Sequence, residues 1–100
     1  MGLGLSLFEE LVVERGAVVN STLMDYLLPT ALEVPPEIEA VFVGEDDPEG
    51  PFGAKGLGET GTVPTAAAVA NAIYEAIGVR PRRTPITPEY LWRLKRGEPK

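Results

Sequence analysis

A single carboxylate, Glu59, lies inside a glycine-dense loop that is the most distinctive chemical feature of the chain. Residues 50–61 read Gly-Pro-Phe-Gly-Ala-Lys-Gly-Leu-Gly-Glu-Thr-Gly, with five glycines in twelve positions. Glycine has no side chain to keep a ligand away from the backbone, so such a loop allows close approach. Free N–H groups at the start of a following helix would favour oxygen atoms or negative charge nearby. The pattern predicts an oxygen-rich ligand beside Glu59, with the carboxylate handling a proton. A solvated connector with one surface acid is the simpler alternative.

The same loop also spells the G-x-G-x-x-G pattern of dinucleotide-binding sites, at Gly56, Gly58 and Gly61. Such a site needs a buried apolar strand just before the glycines and an acid about 20 residues after them. Here Gly-Pro-Phe-Gly-Ala-Lys precedes the glycines, and Pro81 with neighbouring arginines occupies the later position. The context therefore argues against nicotinamide or flavin binding by this loop.

The elements before the loop predict the first half of a small α+β domain that spans residues 1–100. Apolar residues at helical spacing predict an N-terminal helix over about residues 3–11. Arg15 and Gly16 separate two short apolar runs, which predicts a β-hairpin with a tight turn. Alternation of apolar and other residues over 38–43 predicts one further strand.

The elements after the loop are predicted to be two helices. A central alanine-rich helix is expected over about residues 64–77, because Pro64 suits a first turn and Gly78 suits a helix end. Thr87 followed by proline and an acid then predicts the start of a short C-terminal helix. In that helix, Trp92 is expected to pack in the core rather than to stack on a ligand.

The composition excludes several classes of site. The chain has no Cys and no His, so zinc, haem, iron–sulfur clusters and disulfides are not expected. No stretch is apolar for long enough to cross a bilayer, and no basic segment precedes an apolar one at the N-terminus, which predicts a cytoplasmic protein with no membrane partner. Residues 1–6 match the N-myristoylation pattern, but we interpret them as the start of the first helix.

Charge is distributed unevenly along the chain. Residues 1–59 carry a net charge of −10 and residues 60–100 a net charge of +4, giving −6 in total. An excess of acid argues against nucleic-acid binding, and a basic tail of this kind is more often a solvated helix face. We therefore expect no nucleic-acid partner.

Several separated motifs occur together in one order. Residues 53–61 read Gly-Ala-Lys-Gly-Leu-Gly-Glu-Thr-Gly, and residues 70–80 read Ala-Asn-Ala-Ile-Tyr-Glu-Ala-Ile-Gly-Val-Arg. Gly-Leu-Gly-Leu at residues 2–5, Asp-Tyr-Leu-Leu-Pro-Thr at 25–30 and Pro-Ile-Thr-Pro-Glu at 85–89 accompany them. Together these motifs resemble the C-terminal part of the molybdenum-cofactor-binding large subunit in the xanthine dehydrogenase and aldehyde oxidase family. A set of ordered motifs is far more specific than one short match.

This resemblance implies a role for each matching residue. Glu59 stands where the family has a glutamate beside the molybdenum that acts as general base during substrate hydroxylation. Direct metal ligands from this chain are not implied. The residues implied to line the molybdopterin cofactor are Gly2, Leu3, Gly4, Lys55, Gly56, Leu57 and Gly58.

Complete enzymes of this family are much larger than this chain, so the resemblance implies a piece of one. Molybdopterin is expected only in complex with a partner, the remaining part of the large subunit, and none in the isolated chain. Met1 stands where relatives carry a glutamine whose side chain reaches the cofactor. The alternative hypothesis is a non-catalytic remnant or interaction module that self-associates. Under either hypothesis the chain should expose a large apolar patch or hide it in a homo-oligomer.

Overall fold

A computed structural model describes residues 1–98 of the chain, with three α-helices and one small sheet. The element order is α1 (Gly2–Leu7), β1 (Val13–Glu14), β2 (Ala17–Val18), a 3-10 turn (Pro51–Gly53), α2 (Thr65–Ile77) and α3 (Pro88–Lys95). This is the predicted α+β class.

The N-terminal helix is shorter than predicted, because it ends at Leu7 instead of continuing to about residue 11. The backbone N–H groups of Phe8 and Glu9 both donate to the Gly4 carbonyl, at 2.9 Å each, which closes the helix. Beyond this point Glu9 accepts a hydrogen bond from the Tyr26 hydroxyl at 2.8 Å. A contact 17 residues away along the chain thus holds the segment that would otherwise extend the helix.

The predicted hairpin is present and is antiparallel, with Val13 opposite Val18 and Glu14 opposite Ala17. Arg15 (φ 49°) and Gly16 (φ 83°) both adopt the left-handed conformation that a two-residue hairpin turn requires. At the open end, the Asn20 side chain accepts from the Val12 N–H at 2.8 Å and donates to the Glu10 carbonyl at 2.6 Å.

The strand predicted over residues 38–43 is wrong. The structure has no regular secondary structure between residues 37 and 47, and the side chains of Ile38, Phe42 and Val43 are exposed. A strand needs a neighbouring backbone to complete its hydrogen bonds, and within the described chain the only paired strands are β1 and β2. The alternating sequence therefore lies as an unpaired extended segment.

The prediction of a central helix over about residues 64–77 is confirmed, because α2 spans Thr65–Ile77. Pro64 is the N-cap residue, and Gly78 ends the helix with φ 73° and an N–H that donates to the Tyr74 carbonyl at 2.8 Å. The helix contacts α1, and Ala66 and Ala70 line a pocket together with Ile86. The half-buried residues of the helix are Thr65, Ala66, Val69, Ala70 and Ile73. The rest of the helix is exposed.

Helix α3 also begins as predicted, since the Thr87 hydroxyl accepts the Tyr90 N–H at 3.2 Å. The expectation that Trp92 lies in the core is wrong, because its side chain is 56% exposed. The Arg96 guanidinium lies 4.5 Å from the centre of the Trp92 ring and covers part of it.

The protein buries little of its own surface. Ile86 is the one buried large hydrophobic side chain among the described residues, and its N–H donates to the carbonyl of the buried Ser6 at 2.7 Å. The accessible surface is 8519 Å², whereas a compact protein of this mass exposes roughly 5500 Å². The radius of gyration is 17.6 Å, against about 13 Å for a compact 100-residue domain. The expected exposed apolar surface is therefore present. None of the described helices combines the length and apolar character needed to cross a membrane.

Candidate functional site

The loop that carries Glu59 passes through a series of turns before α2 begins at Thr65. The Glu59 carbonyl accepts hydrogen bonds from the N–H groups of Thr62 (2.9 Å) and Val63 (3.3 Å). The loop backbone is therefore fixed relative to the helix start at one end. The Glu59 side chain is exposed, and within residues 1–98 its carboxylate takes part in no hydrogen bond or ion pair.

An open pocket of about 630 Å³ lies beside this loop. Lys55, Gly56 and Leu57 line one side of it, as do Thr60 and Gly61. Gly58 and Glu59, which lie between these two groups in the sequence, are not among the lining residues. The structure thus places the loop at the pocket wall and leaves the Glu59 carboxylate outside the cavity that this chain forms alone.

Residues 41–46 also line the pocket, and the sequence did not assign them to a site. Three apolar residues, Val41 to Val43, are followed there by Glu45 and Asp46. The three apolar residues belong to the segment predicted above as a strand. In the sequence, the position of Glu45 and Asp46 shortly after the apolar residues 41–43 is the one feature that could have connected these acids to the glycine loop. No cluster of three carboxylates in the described chain could hold a metal ion.

The other predicted cofactor-lining residues, Gly2, Leu3 and Gly4, line a separate pocket of about 250 Å³. Its remaining wall comes from Met1, from Thr65 and from parts of residues 29–38. The structure therefore does not bring the two predicted groups into one cavity. Thr65 links them, because it lines this second pocket while its hydroxyl donates to the Gly61 carbonyl at 3.1 Å.

The glycines of these two regions differ in what surrounds them. A Cβ atom on Gly2 would fall 2.7 Å from Thr65 Cβ, and one on Gly4 would fall 3.1 Å from Pro29 Cδ and closer still to the Glu9 carboxylate. These two glycines are needed by the packing of the chain itself. Around Gly56, Gly58 and Gly61, by contrast, a Cβ would meet nothing within 4 Å.

The glycines at 56, 58 and 61 are not required by backbone conformation either, since none has a positive φ. In addition, the N–H groups of Gly56, Leu57 and Gly58 donate to no acceptor within residues 1–98. The loop is thus an open cradle whose backbone donors are available to a group from outside the chain. This geometry suits the molybdopterin cofactor implied by the sequence motifs.

Among residues 1–98, Glu33 and Tyr26 have shifted pKa values, and both lie near α1 and the second pocket. The hydroxyl and the backbone N–H of Thr30 donate to the Glu33 carboxylate and lower its pKa. The hydrogen bond from Tyr26 to the Glu9 carboxylate, with some burial, raises the pKa of Tyr26. These interactions order the segment that follows the hairpin.

The first 35 residues match the family model described as the molybdopterin cofactor-binding domain. The chain is 46% identical over 101 residues to the 6-hydroxypseudooxynicotine dehydrogenase complex subunit gamma of Paenarthrobacter nicotinovorans, covering 96% of this chain and 12% of that protein. It is 42% identical over 94 residues to the aldehyde oxidoreductase molybdenum-binding subunit PaoC of Escherichia coli K12, covering 91% of this chain and 13% of that protein.

A solved structure is also similar. Quinoline 2-oxidoreductase from Pseudomonas putida 86 superposes with a TM-score of 0.84 at 36% identity, over 98% of this chain and 13% of that one. The chain therefore spans 12–13% of the length of these relatives.

Proposed function

Because the chain belongs to the family of molybdenum-binding subunits of xanthine dehydrogenases and aldehyde oxidoreductases, we propose that it is the part of such a subunit that supplies the general base. In this proposal Glu59 is the base, and the backbone of Lys55 to Gly58 forms one wall of the molybdopterin site. The function requires docking on the remaining part of the large subunit, which carries the rest of the cofactor site.

The observation that carries the proposal is the open glycine cradle on both sides of Glu59. A Cβ at Gly56, Gly58 or Gly61 would meet no atom of this chain within 4 Å, so the chain's own packing gives no reason for glycine at these positions. A group that approaches the backbone from outside gives such a reason. Lys55 lines the pocket beside the cradle and adds positive charge there, which favours an anionic group such as the cofactor phosphate.

The chemistry divides between the cofactor and this chain. When bound, the molybdenum cofactor supplies the oxidising centre that accepts electrons from an electron-poor substrate carbon. A carboxylate oxygen of Glu59 takes the proton released as an oxygen nucleophile attacks that carbon. A positioned base of this kind typically contributes about 10² to 10⁴ in rate. Gly56 and Gly58 serve this step by letting the backbone come close enough to place the carboxylate.

The exposed apolar surface supports the docking step. Side chains along residues 23–43 are exposed although they are large and apolar, and Met24 (89%), Leu32 (92%) and Val43 (93%) are the extreme cases. Surfaces of this kind mark contact sites in folded proteins. Gly2, Leu3 and Gly4 line a pocket on the same side of the chain as part of this segment, and we assign them to a second stretch of the cofactor wall.

The same apolar surface is compatible with the alternative function, a non-catalytic module that associates with itself. The two functions differ in what the chain captures. A self-associating module forms homo-oligomers and takes up no molybdenum with any partner. A detached piece of the enzyme binds the rest of the subunit and completes its site.

The test uses a complementary fragment, defined as the P. nicotinovorans gamma subunit without the segment that matches this chain. It is co-expressed with the tagged chain and with the other subunits of that complex. Molybdenum content and turnover of 6-hydroxypseudooxynicotine, the compound in that complex's name, are then measured on the purified assembly. Recovery of the tagged chain as a homo-oligomer without molybdenum would favour the alternative function.

The assignment of the base is tested in the same assembly with Glu59→Gln. We expect unchanged molybdenum content and a loss of turnover of about 10² to 10⁴. Glu75→Gln is the matched control, because Glu75 is an exposed carboxylate on α2 outside both pockets. Equal turnover of the two variants would remove the role given to Glu59.

A further inference from the structure

Phe52 has an unusual combination of backbone conformation and exposure. It adopts the left-handed conformation, with φ 56° and ψ 25°, which is costly for a bulky residue other than glycine. Its side chain is fully exposed, at 107% of the reference value. It does not line the large pocket beside the glycine loop. The Phe52 ring therefore extends into solvent, and no contact of the ring within the described chain offsets the backbone strain.

A closed loop fixes this conformation. The hydrogen bonds run from Asp47 N to Gly53 O (3.1 Å), from Gly53 N to Gly50 O (3.0 Å) and from Ala54 N to Pro51 O (3.1 Å). A Cβ on Gly53 would fall 2.8 Å from Asp46 Cβ, so the loop is also tightly packed. The ring is therefore presented on a preorganised turn rather than on a mobile segment, which lowers the entropic cost of burying it in a contact.

This turn is continuous with the loop that carries Glu59, since Phe52 is three residues before Lys55 and seven before Glu59. We propose that Phe52 is a docking anchor that inserts into an apolar pocket on the remaining part of the large subunit and thereby sets the position of the Glu59 loop. The inference rests on the proposed function, and it adds a named contact residue to the docking step.

Two observations favour the remaining part of the large subunit as the partner that receives Phe52. They are the length of the relatives beyond the part that this chain matches, and the size of the exposed surface. The chain spans 12–13% of its relatives, and it exposes 8519 Å², roughly 3000 Å² more than a compact protein of its mass. Permanent interfaces bury areas of about this size. Aromatic side chains in such interfaces are frequent energetic centres.

A second copy of this chain fits the anchor less well because of the charges around it. Residues 45–49 contain four acids, and they form part of the turn that presents Phe52. A two-fold contact through this surface would bring the acidic turn of one copy against that of the other. Like charges brought together in this way oppose association.

The experiment measures the affinity of the chain for the complementary fragment, using three variants at one position. Phe52→Gly and Phe52→Asn remove the ring but suit the left-handed conformation, whereas Phe52→Leu keeps an apolar side chain. We expect the first two to weaken binding by about 30-fold or more, as loss of an interface anchor does. Phe52→Leu should stay within about fivefold of the unmodified chain.

The isolated chain provides the second measurement. Because Gly and Asn relieve the strain at φ 56°, amide exchange at Gly53 and Ala54 should slow by about fivefold or more in these two variants. A structural role alone would change both measurements in the same direction. The inference predicts opposite changes, with a more stable turn and weaker binding.

Three outcomes are informative. If the unmodified chain does not bind the complementary fragment, the proposed function itself is contradicted, and the anchor with it. If the unmodified chain binds and Phe52→Asn binds equally well, the anchor alone is contradicted. Equal losses for Phe52→Leu and Phe52→Asn would also overturn it, because an apolar pocket should accept leucine better than asparagine.

Discussion

The glycines in α1 and the glycines of the Glu59 loop differ in why a side chain is absent from them. At Gly2 and Gly4, the space that a Cβ atom would need is occupied by Thr65 or by Glu9 and Pro29, respectively. The chain's own packing therefore leaves no room for a side chain at these positions. Gly56, Gly58 and Gly61 face open space and have ordinary backbone conformations. Contacts within the chain explain the glycines of α1, but they do not explain the glycines of the Glu59 loop.

This difference separates two kinds of role that the family motifs place together. Both glycine segments were predicted to line the cofactor, yet they lie in separate pockets joined by Thr65. For the loop, the proposed cofactor contact accounts for the glycines. For α1, packing is sufficient, and any contact with the cofactor comes in addition. Substitutions in the two regions should therefore have opposite profiles.

The largest effect is expected at the open loop. Gly58→Ala adds a Cβ where the isolated chain has space, so the chain's own stability should change by no more than about 0.5 kcal/mol. In the assembly with the complementary fragment, the same methyl group would enter the cofactor's space. We expect molybdenum retention to fall by about 5- to 150-fold, the range that corresponds to an overpacking cost of about 1 to 3 kcal/mol. Metal content during dialysis measures it, and unchanged retention would contradict the cradle.

The next effect is expected at the packed glycine, in the isolated chain. Gly2→Ala places a Cβ 2.7 Å from Thr65 Cβ, which should separate α1 from α2 at a cost of about 1 to 2 kcal/mol after allowing for alanine's better helix propensity. Amide exchange at Ile86, whose N–H is bound by the Ser6 carbonyl, reports this opening. If exchange at Ile86 is the same in Gly2→Ala and Gly58→Ala, the two regions do not differ as described.

The smallest effect concerns the segment that lines the second pocket. The Thr30 hydroxyl lowers the pKa of Glu33, so this interaction stabilises the fold above the ordinary pKa of a glutamate and is lost as the pH falls. Thr30→Val removes the hydroxyl but keeps the shape and the backbone N–H, so the pKa of Glu33 should rise towards its ordinary value. An NMR titration of the Glu33 carboxyl carbon measures the change, and an identical titration in both proteins would refute it.

Local signals in the sequence were sufficient for three elements. Helix α2 has its limits set by Pro64 and Gly78, and α3 begins at the Thr87 cap, since these residues act through neighbouring backbone. The hairpin turn at Arg15 and Gly16 is equally local. In each case the chemistry that fixes the element lies within four residues of it.

The predictions that were wrong depend on interactions between residues that are distant in the sequence or absent from the chain. The predicted strand over residues 38–43 has no partner strand within the described chain. Trp92 has no core around it, because most of the large hydrophobic side chains in the described chain are exposed. Helix α1 ends early at a point where Tyr26, distant in sequence, holds Glu9. Pairing and packing partners of this kind cannot be read from short windows of sequence.

The site was predictable only as a list of residues. Motif resemblance selected Glu59 and the glycines, but it could not separate those packed by the chain from those left open. It also did not indicate that Glu45 and Asp46 line the same pocket as Lys55. Phe52 was not selected at all, because a positive φ at phenylalanine has no sequence signature.

Amide hydrogen exchange of the chain alone, and of its molybdenum-loaded assembly with the complementary fragment, tests the central claim most directly. The N–H groups of Gly56, Leu57 and Gly58 have no acceptor in the described chain, so they should exchange rapidly in isolation. In the loaded assembly we predict at least tenfold slower exchange at these positions, with Ile86 as the internal reference. Equally rapid exchange of the three loop amides in the loaded assembly would show that nothing outside the chain fills the cradle.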